Sequence, residues 1–82
     1  HIAFVQVTLS DTRADALATF NDAVRQLKSV EQCHMIAGNF DYLLKVRTKN
    51  IRKYRTELAE NISSLPHVAS TSTFVSMETV CE

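Results

Sequence analysis

The sequence predicts an α+β domain made of four strands and two helices. Runs rich in β-branched residues alternate with amphipathic helical stretches, and their order along the chain is β-α-β-β-α-β. The 82 residues, of which 45% are hydrophobic, suffice for one small domain spanning residues 1–82. This order is that of the ferredoxin-like βαββαβ arrangement, in which both helices cover one face of a four-stranded antiparallel sheet.

Different sequence features predict the first strand and the first helix. Residues 2–9 are rich in β-branched side chains and predict a strand. Apolar residues at helical spacing then predict an amphipathic helix over residues 13–28. Thr12 and Asp15 have the spacing of a capping box in which aspartate replaces the usual glutamate, and we expect them to open this helix.

Two strands over residues 30–37 and 40–47 are predicted to meet at a turn formed by Gly38 and Asn39. Gly38 is the only glycine of the chain, and a turn that needs a positive φ angle is where a single glycine is expected. Asp41 follows as a carboxylate in an otherwise apolar run and is not expected to support the core. Two interpretations stay open: an exposed hairpin residue, or the polar anchor of a small-ligand site.

The last part of the chain predicts a second helix and a fourth strand. Asn50 is expected to cap the helix, which Pro66 should end. Residues 68–80, rich in Ser and Thr, are predicted to form the strand. The apolar stripe of the helix consists of Ile51, Tyr54, Leu58, Ile62 and Leu65.

The predicted sheet carries apolar side chains on both faces. Ile2 and Phe4 stand opposite the main apolar row of the first strand, and Leu43 does the same in the third strand. Because the helices cover only one face, a second copy of the chain is the expected cover of the other. We therefore predict a sheet-to-sheet homodimer with these three residues in its interface.

Composition argues against several functional classes. Nine basic and nine acidic residues leave no net charge, although six of the nine basic residues fall within positions 45–55. Without the aromatic pattern of an RNA-recognition motif, this run is expected to be a solvated or inter-subunit face. No apolar run approaches the roughly 20 residues of a membrane span, so no membrane partner is expected.

No catalytic or metal-binding constellation is visible in the sequence. Cys33 and His34 are neighbours in a strand and therefore point to opposite faces. Cys33 and Cys81 could in principle pair, but two cysteines without C-x-x-C spacing do not make a disulfide scaffold, and we expect two free thiols. No metal and no cofactor are predicted, and the chain is not expected to be an enzyme.

A carboxylate beside backbone N–H groups offers an amino acid one partner for its ammonium group and one for its carboxylate group. Asp41, next to the turn at Gly38 and Asn39, is such a carboxylate. Thr71 and Thr73 on the last strand add short hydroxyl groups that can donate or accept a hydrogen bond. The residues thus allow a small amino-acid site.

One sequence pattern is fairly specific. The strand Glu31-Gln-Cys-His-Met35 is followed by Gly38-Asn-Phe-Asp-Tyr-Leu43 and later by Leu65-Pro-His-Val68. This pattern resembles the C-terminal effector domain of the Lrp/AsnC family, the leucine-responsive or feast/famine regulators. The resemblance covers essentially the whole chain.

The resemblance implies a function and a set of partners. In that family the βαββαβ domain forms dimers that assemble into tetramers or octamers, and an effector amino acid lies between dimers and shifts the assembly state. It implies that Gly38, Asn39 and Asp41 form the ligand loop and that Thr71 and Thr73 line the pocket. DNA would be bound only through an N-terminal helix-turn-helix domain that is absent from this chain. A cytoplasmic location is expected.

The start of the chain inside a strand favours an excised effector domain. Two rival functions remain at this point. A dimeric α+β barrel enzyme shares the topology and the sheet pairing, but it would need a cavity with a convergent histidine or acid. A ligand-free dimerisation module would differ only in having no effector.

Overall fold

The computed structural model describes residues 1–82. The elements in chain order are strand β1 (Ile2–Leu9), helix α1 (Ala14–Val24), strands β2 (Val30–Met35) and β3 (Tyr42–Arg47), helix α2 (Ile51–Thr56) with a π-helical continuation (Glu57–Ile62), and strand β4 (Val68–Val75). The strands form one antiparallel sheet in the order β2-β3-β1-β4. The predicted ferredoxin-like α+β fold is confirmed.

The hydrophobic core lies between one face of the sheet and the two helices. Phe20 and Val24 of α1 and Ile62 of the π-helical segment pack against the central strands, and the ring centroid of Phe20 lies 4.3 Å from that of Tyr42. Burying a side chain such as Phe20 stabilises the fold by roughly 1.5–3 kcal/mol. The buried strand residues are Ala3, Val5, Val7 and Leu9 in β1 and Tyr42, Leu44 and Val46 in β3. Neither helix has the length and apolar composition needed to cross a membrane.

Helix α1 is shorter than the predicted range 13–28, and the predicted capping box is wrong. Asp15 accepts a hydrogen bond from the neighbouring Ala16 N–H at 2.9 Å and caps no earlier residue. Asp11 instead accepts from the Arg13 N–H at 3.0 Å and pairs with the Arg13 guanidinium at 2.8 Å. This guanidinium lowers the pKa of Asp11 to about 2. This contact orders the residues just before the helix, and Arg13 at the cap position makes no side-chain capping hydrogen bond.

Helix α2 has the predicted cap, since the Asn50 Oδ1 accepts a hydrogen bond from the Lys53 N–H at 2.9 Å. Its last turns widen, and the Ser63 N–H donates to the Leu58 C=O five residues earlier at 3.0 Å. The predicted stripe holds for Tyr54, Leu58, Ile62 and Leu65. It is wrong for Ile51, whose side chain is 58% exposed.

Strand β4 ends at Val75, so the predicted range 68–80 is too long. Val75 lies opposite Ala3, and the Ser76 N–H donates to the Ile2 C=O at 2.9 Å. The pairing of β4 with β1 ends at Val75 and Ala3. Met77 is 99% exposed.

The face of the sheet that the helices leave uncovered carries Ile2, Phe4 and Leu43, as predicted from their alternation. Phe74 of β4 lies directly opposite Phe4 on the same face, and it was not among the predicted residues. The exposed fractions of Phe4 and Phe74 are 36% and 54% in the single chain. Contact of this face with a second chain stays a prediction.

Candidate functional site

The loop between β2 and β3 is fixed to the end of β1 by hydrogen bonds. The Ile36 N–H donates to the Asp41 C=O at 2.8 Å and closes the loop formed by residues 37–40. The Asp41 N–H donates to the Val7 C=O at 2.9 Å. The Asp41 Oδ2 accepts from the Leu9 N–H at 2.7 Å. The half-buried Asp41 is therefore held at three atoms.

The Asp41 carboxylate replaces a missing strand partner. Strand β3 begins only at Tyr42, while β1 continues to Leu9. The side chain of Asp41 thus accepts the N–H that lies beyond the end of the β1–β3 ladder, where a main-chain carbonyl would otherwise be needed. The other oxygen, Oδ1, makes no hydrogen bond within the chain. Asp41 supports the fold, contrary to expectation, and still has one oxygen for a ligand.

Gly38 does not adopt the positive φ angle predicted for it. The loop spans four residues, 37–40, and a hairpin connection of this length can be built without the left-handed conformation that a two-residue turn requires. His67, directly after Pro66, has the only positive φ angle of a non-glycine residue, 66°. Its C=O accepts from the Ser10 N–H at 2.8 Å.

Gly38→Ala is therefore expected to be neutral or stabilising by about 0.4–1 kcal/mol, because alanine restricts the unfolded chain without straining the loop. A Cβ at this position would lie 3.6 Å from the Ile36 Cγ2, an ordinary contact distance. Urea unfolding of the variant and the parent chain measures the difference. A clear loss of stability would show that the loop does need glycine.

Thr71 and Thr73 lie on the opposite face of the sheet from Asp41, with which they were predicted to form a site. Register places them opposite Val7 and Val5, which are buried beneath the helices. Asp41 comes directly before Tyr42, whose side chain is buried beneath the helices. The Asp41 side chain bonds the end of β1 and does not approach the two threonines. None of the cavities on the surface of the single chain is lined by Gly38, Asn39, Asp41, Thr71 or Thr73. One chain alone does not bring these residues into a common pocket.

A cavity of about 380 Å³ between α1 and β2 was not predicted. At its polar end the Tyr42 hydroxyl donates to the Asn21 Oδ1 at 2.6 Å, and burial raises the pKa of this hydroxyl and of the unpaired Cys33 thiol. The one acid in its lining, Glu31, pairs with Arg47 at 2.7 Å. The cavity thus lacks the convergent histidine or acid that the barrel-enzyme alternative requires.

Comparison with known proteins identifies the family. Residues 2–82 match the model of the Lrp/AsnC ligand binding domain. The chain is 68% identical, over 82 residues, to a proline dehydrogenase transcriptional activator of Rhizobium radiobacter, with 100% of this chain and 53% of the relative covered. It is 42% identical, over 79 residues, to the leucine-responsive regulatory protein of Escherichia coli strain K12, with coverage of 96% and 48%.

The fold also matches that of a solved regulator. A crystal structure of a transcriptional regulator from Neisseria meningitidis in complex with L-Met has a TM-score of 0.89 and 21% identity, with 99% of this chain and 52% of that chain covered. The chain spans about half the length of these relatives, which are named as regulators and not as enzymes. Because the family model matches nearly every residue, the chain belongs to the Lrp/AsnC family and forms its ligand binding domain.

Proposed function

We propose that this domain binds an effector amino acid and controls the assembly of an amino-acid-responsive bacterial transcription regulator in the cytoplasm. The observation that carries the proposal is the match of residues 2–82 to the Lrp/AsnC ligand binding domain. The names of the relatives from Rhizobium radiobacter and Escherichia coli support the regulatory role. The L-Met complex of the Neisseria meningitidis regulator supports an amino acid as the effector.

The proposed effector site combines residues of two chains. Gly38, Asn39 and Asp41 would come from one chain, and Thr71 and Thr73 from another. Two facts support a shared site: these residues line no cavity of the single chain, and the loop that carries Asp41 is already held in place. A fixed loop costs little ordering entropy when a ligand binds, and the free Oδ1 can accept a hydrogen bond from an ammonium group.

The proposed mechanism is thermodynamic linkage. Dimers would form through the uncovered sheet faces that carry Ile2, Phe4 and Leu43, and would assemble into tetramers or octamers. An amino acid bound between dimers favours the assembly state for which it has the higher affinity, and this shift rearranges the DNA-binding domains. DNA is contacted by an N-terminal helix-turn-helix domain in this proposal.

Thermal unfolding of the chain with each of the twenty amino acids tests the proposal. Proline is the first candidate, because the 68% identical relative is named as an activator for proline dehydrogenase. A ligand at a hundredfold excess over its Kd stabilises the folded state by about 2.7 kcal/mol. For a domain of this size, such a gain raises the Tm by well over 5 °C, at roughly 4–8 °C per kcal/mol. Unchanged Tm values with all twenty would instead favour a ligand-free dimerisation module.

A further inference from the structure

A basic groove lies at the end of the sheet, away from the candidate effector loop. Three segments form it: the connection from α1 to β2, the end of β3 with the residues after it, and the first turns of α2 with the start of its π-helical continuation. The groove has a volume of about 820 Å³, and none of its nine lining residues is hydrophobic. Five of them are basic: Lys28, Arg47, Lys49, Arg52 and Lys53.

The positive charge of this groove is largely uncompensated. Of its five cations, only Arg47 forms an ion pair, with Glu31 at 2.7 Å. The groove contains one acid, Glu57, and both of its oxygens are already used. Its Oε1 accepts from the Ser29 hydroxyl, and its Oε2 accepts from the Asn61 Nδ2 at 2.8 Å. Four exposed cations therefore have no ion-pair partner, and the single charge of Glu57 offsets only part of their positive charge.

The net charge of the chain is zero and therefore does not reveal this local positive charge. Lys49, Arg52 and Lys53 belong to the basic run noted in the sequence, and the fold adds Lys28 from a distant segment. The N-terminus of α2 does not create the site, because the Lys53 N–H is already bonded to the Asn50 Oδ1. The side chains themselves produce the local positive potential.

We propose that this groove binds phosphate groups, and that in the regulator these are phosphates of the DNA backbone. Exposed lysine, arginine and hydroxyl side chains are the groups that contact phosphate oxygens at protein–DNA interfaces. The groove also contains the Thr56 hydroxyl, whereas the Ser29 and Thr48 hydroxyls already donate to the Glu57 carboxylate and the Asn50 C=O. The absence of apolar lining and the occupied carboxylate make it unsuited to an amino-acid effector. The contact is independent of DNA sequence and adds to recognition by a DNA-binding domain.

Fluorescence anisotropy of a labelled random-sequence duplex, titrated with the 82-residue chain, tests the proposal. No helix-turn-helix is among the elements of this chain, so binding reports other surfaces. If four phosphates are neutralised, the logarithm of the binding constant falls with the logarithm of the salt concentration with a slope of about −3.6. The measurement covers salt from about 50 to 200 mM, the range in which this dependence is large.

The groove variant Lys49→Gln/Arg52→Gln is expected to halve the slope, to about −1.8, and to weaken binding on the order of tenfold at low salt. The matched control, Arg13→Gln/Arg25→Gln, also removes two positive charges, but from cations at the two ends of α1 that are paired with Asp11 and Asp22. The control should bind like the parent chain. Both double variants should fold like the parent chain, because all four substituted side chains are exposed. Circular dichroism checks this.

Calorimetry with inorganic pyrophosphate distinguishes between two ligands of the groove: the phosphates of a DNA backbone and those of a free phosphorylated molecule. Duplex binding that is weakened only in the groove variant supports the DNA backbone. Pyrophosphate binding that is lost only in the groove variant, without duplex binding, supports the phosphate site but assigns it to a free phosphorylated molecule and overturns the DNA contact. Equal weakening in both double variants, or no binding of either probe at about 50 mM salt, overturns the proposal as a whole.

Discussion

Leu43→Asp is expected to convert the proposed dimer into monomers. Leu43 is half-buried on the uncovered sheet face, where its cross-strand neighbours are Gln6 and His34. The cation nearest along the same strand face, Lys45, is already paired with Glu31 at 3.6 Å. An unpaired charge enclosed between two sheets costs about 3–5 kcal/mol. The dimer dissociation constant should therefore rise roughly a hundred- to several thousandfold.

Two further variants keep this prediction testable if Leu43→Asp fails to fold. Phe74→Ala shortens a side chain that is 54% exposed in the single chain, so it should weaken the dimer with little effect on the monomer. Ile51→Asp is the matched control, because Ile51 is 58% exposed at the start of α2 and does not belong to the sheet. Sedimentation or light scattering at micromolar concentration reports the assembly. A stable parent monomer, or dimers that persist in the Leu43 and Phe74 variants, would contradict the predicted interface.

The strands were predictable because their side chains alternate. In β1 and β3 one row of alternate residues is apolar throughout, whereas the other row mixes Ile2, Phe4 and Leu43 with polar residues, so the period of two favours the first row as the buried face. The end of β4 was not predictable from the same pattern. Residues 76–80 could continue a strand by composition, but the pairing of β4 with β1 ends with Val75 opposite Ala3. The length of a strand thus depends on a segment more than 60 positions away.

The candidate site shows where local patterns fail. The sequence singled out Asp41 because of its apolar surroundings, but the Leu9 N–H that it bonds lies 32 positions earlier. The argument for a positive φ at Gly38 assumed a two-residue turn, whereas the structure has four residues in the loop. The basic groove was incomplete in the sequence because Lys28 joins it only through the fold. The failures at Asp41 and at the basic groove concern contacts between distant segments, whereas the failure at Gly38 concerns the length of one loop.

Asp41→Ala and Asp41→Asn are expected to separate the structural role of Asp41 from its proposed ligand role. In Asp41→Ala the part-buried Leu9 N–H loses its acceptor, which should cost about 1–3 kcal/mol of stability. An asparagine side-chain oxygen can still accept this hydrogen bond, so Asp41→Asn should retain most of the stability. Urea unfolding of the two variants measures the difference. Equal destabilisation by both would mean that the charge, and not only the acceptor, holds the end of β1.

The affinity for the effector should depend on the negative charge of Asp41 and not on the stability of the variant. A hydrogen bond between the carboxylate and an α-ammonium group contributes about 1.5–3 kcal/mol, which is about ten- to hundredfold in Kd. Asp41→Asn is therefore expected to lose that much affinity, and with it the effector-induced change in assembly, at nearly unchanged Tm. Asp22→Asn, which removes an exposed carboxylate on α1, is the control and should bind like the parent chain. Calorimetry with proline and then the other amino acids decides the question. If Asp41→Asn folds and binds with parental affinity, Asp41 serves only to hold Leu9, and the effector binds elsewhere.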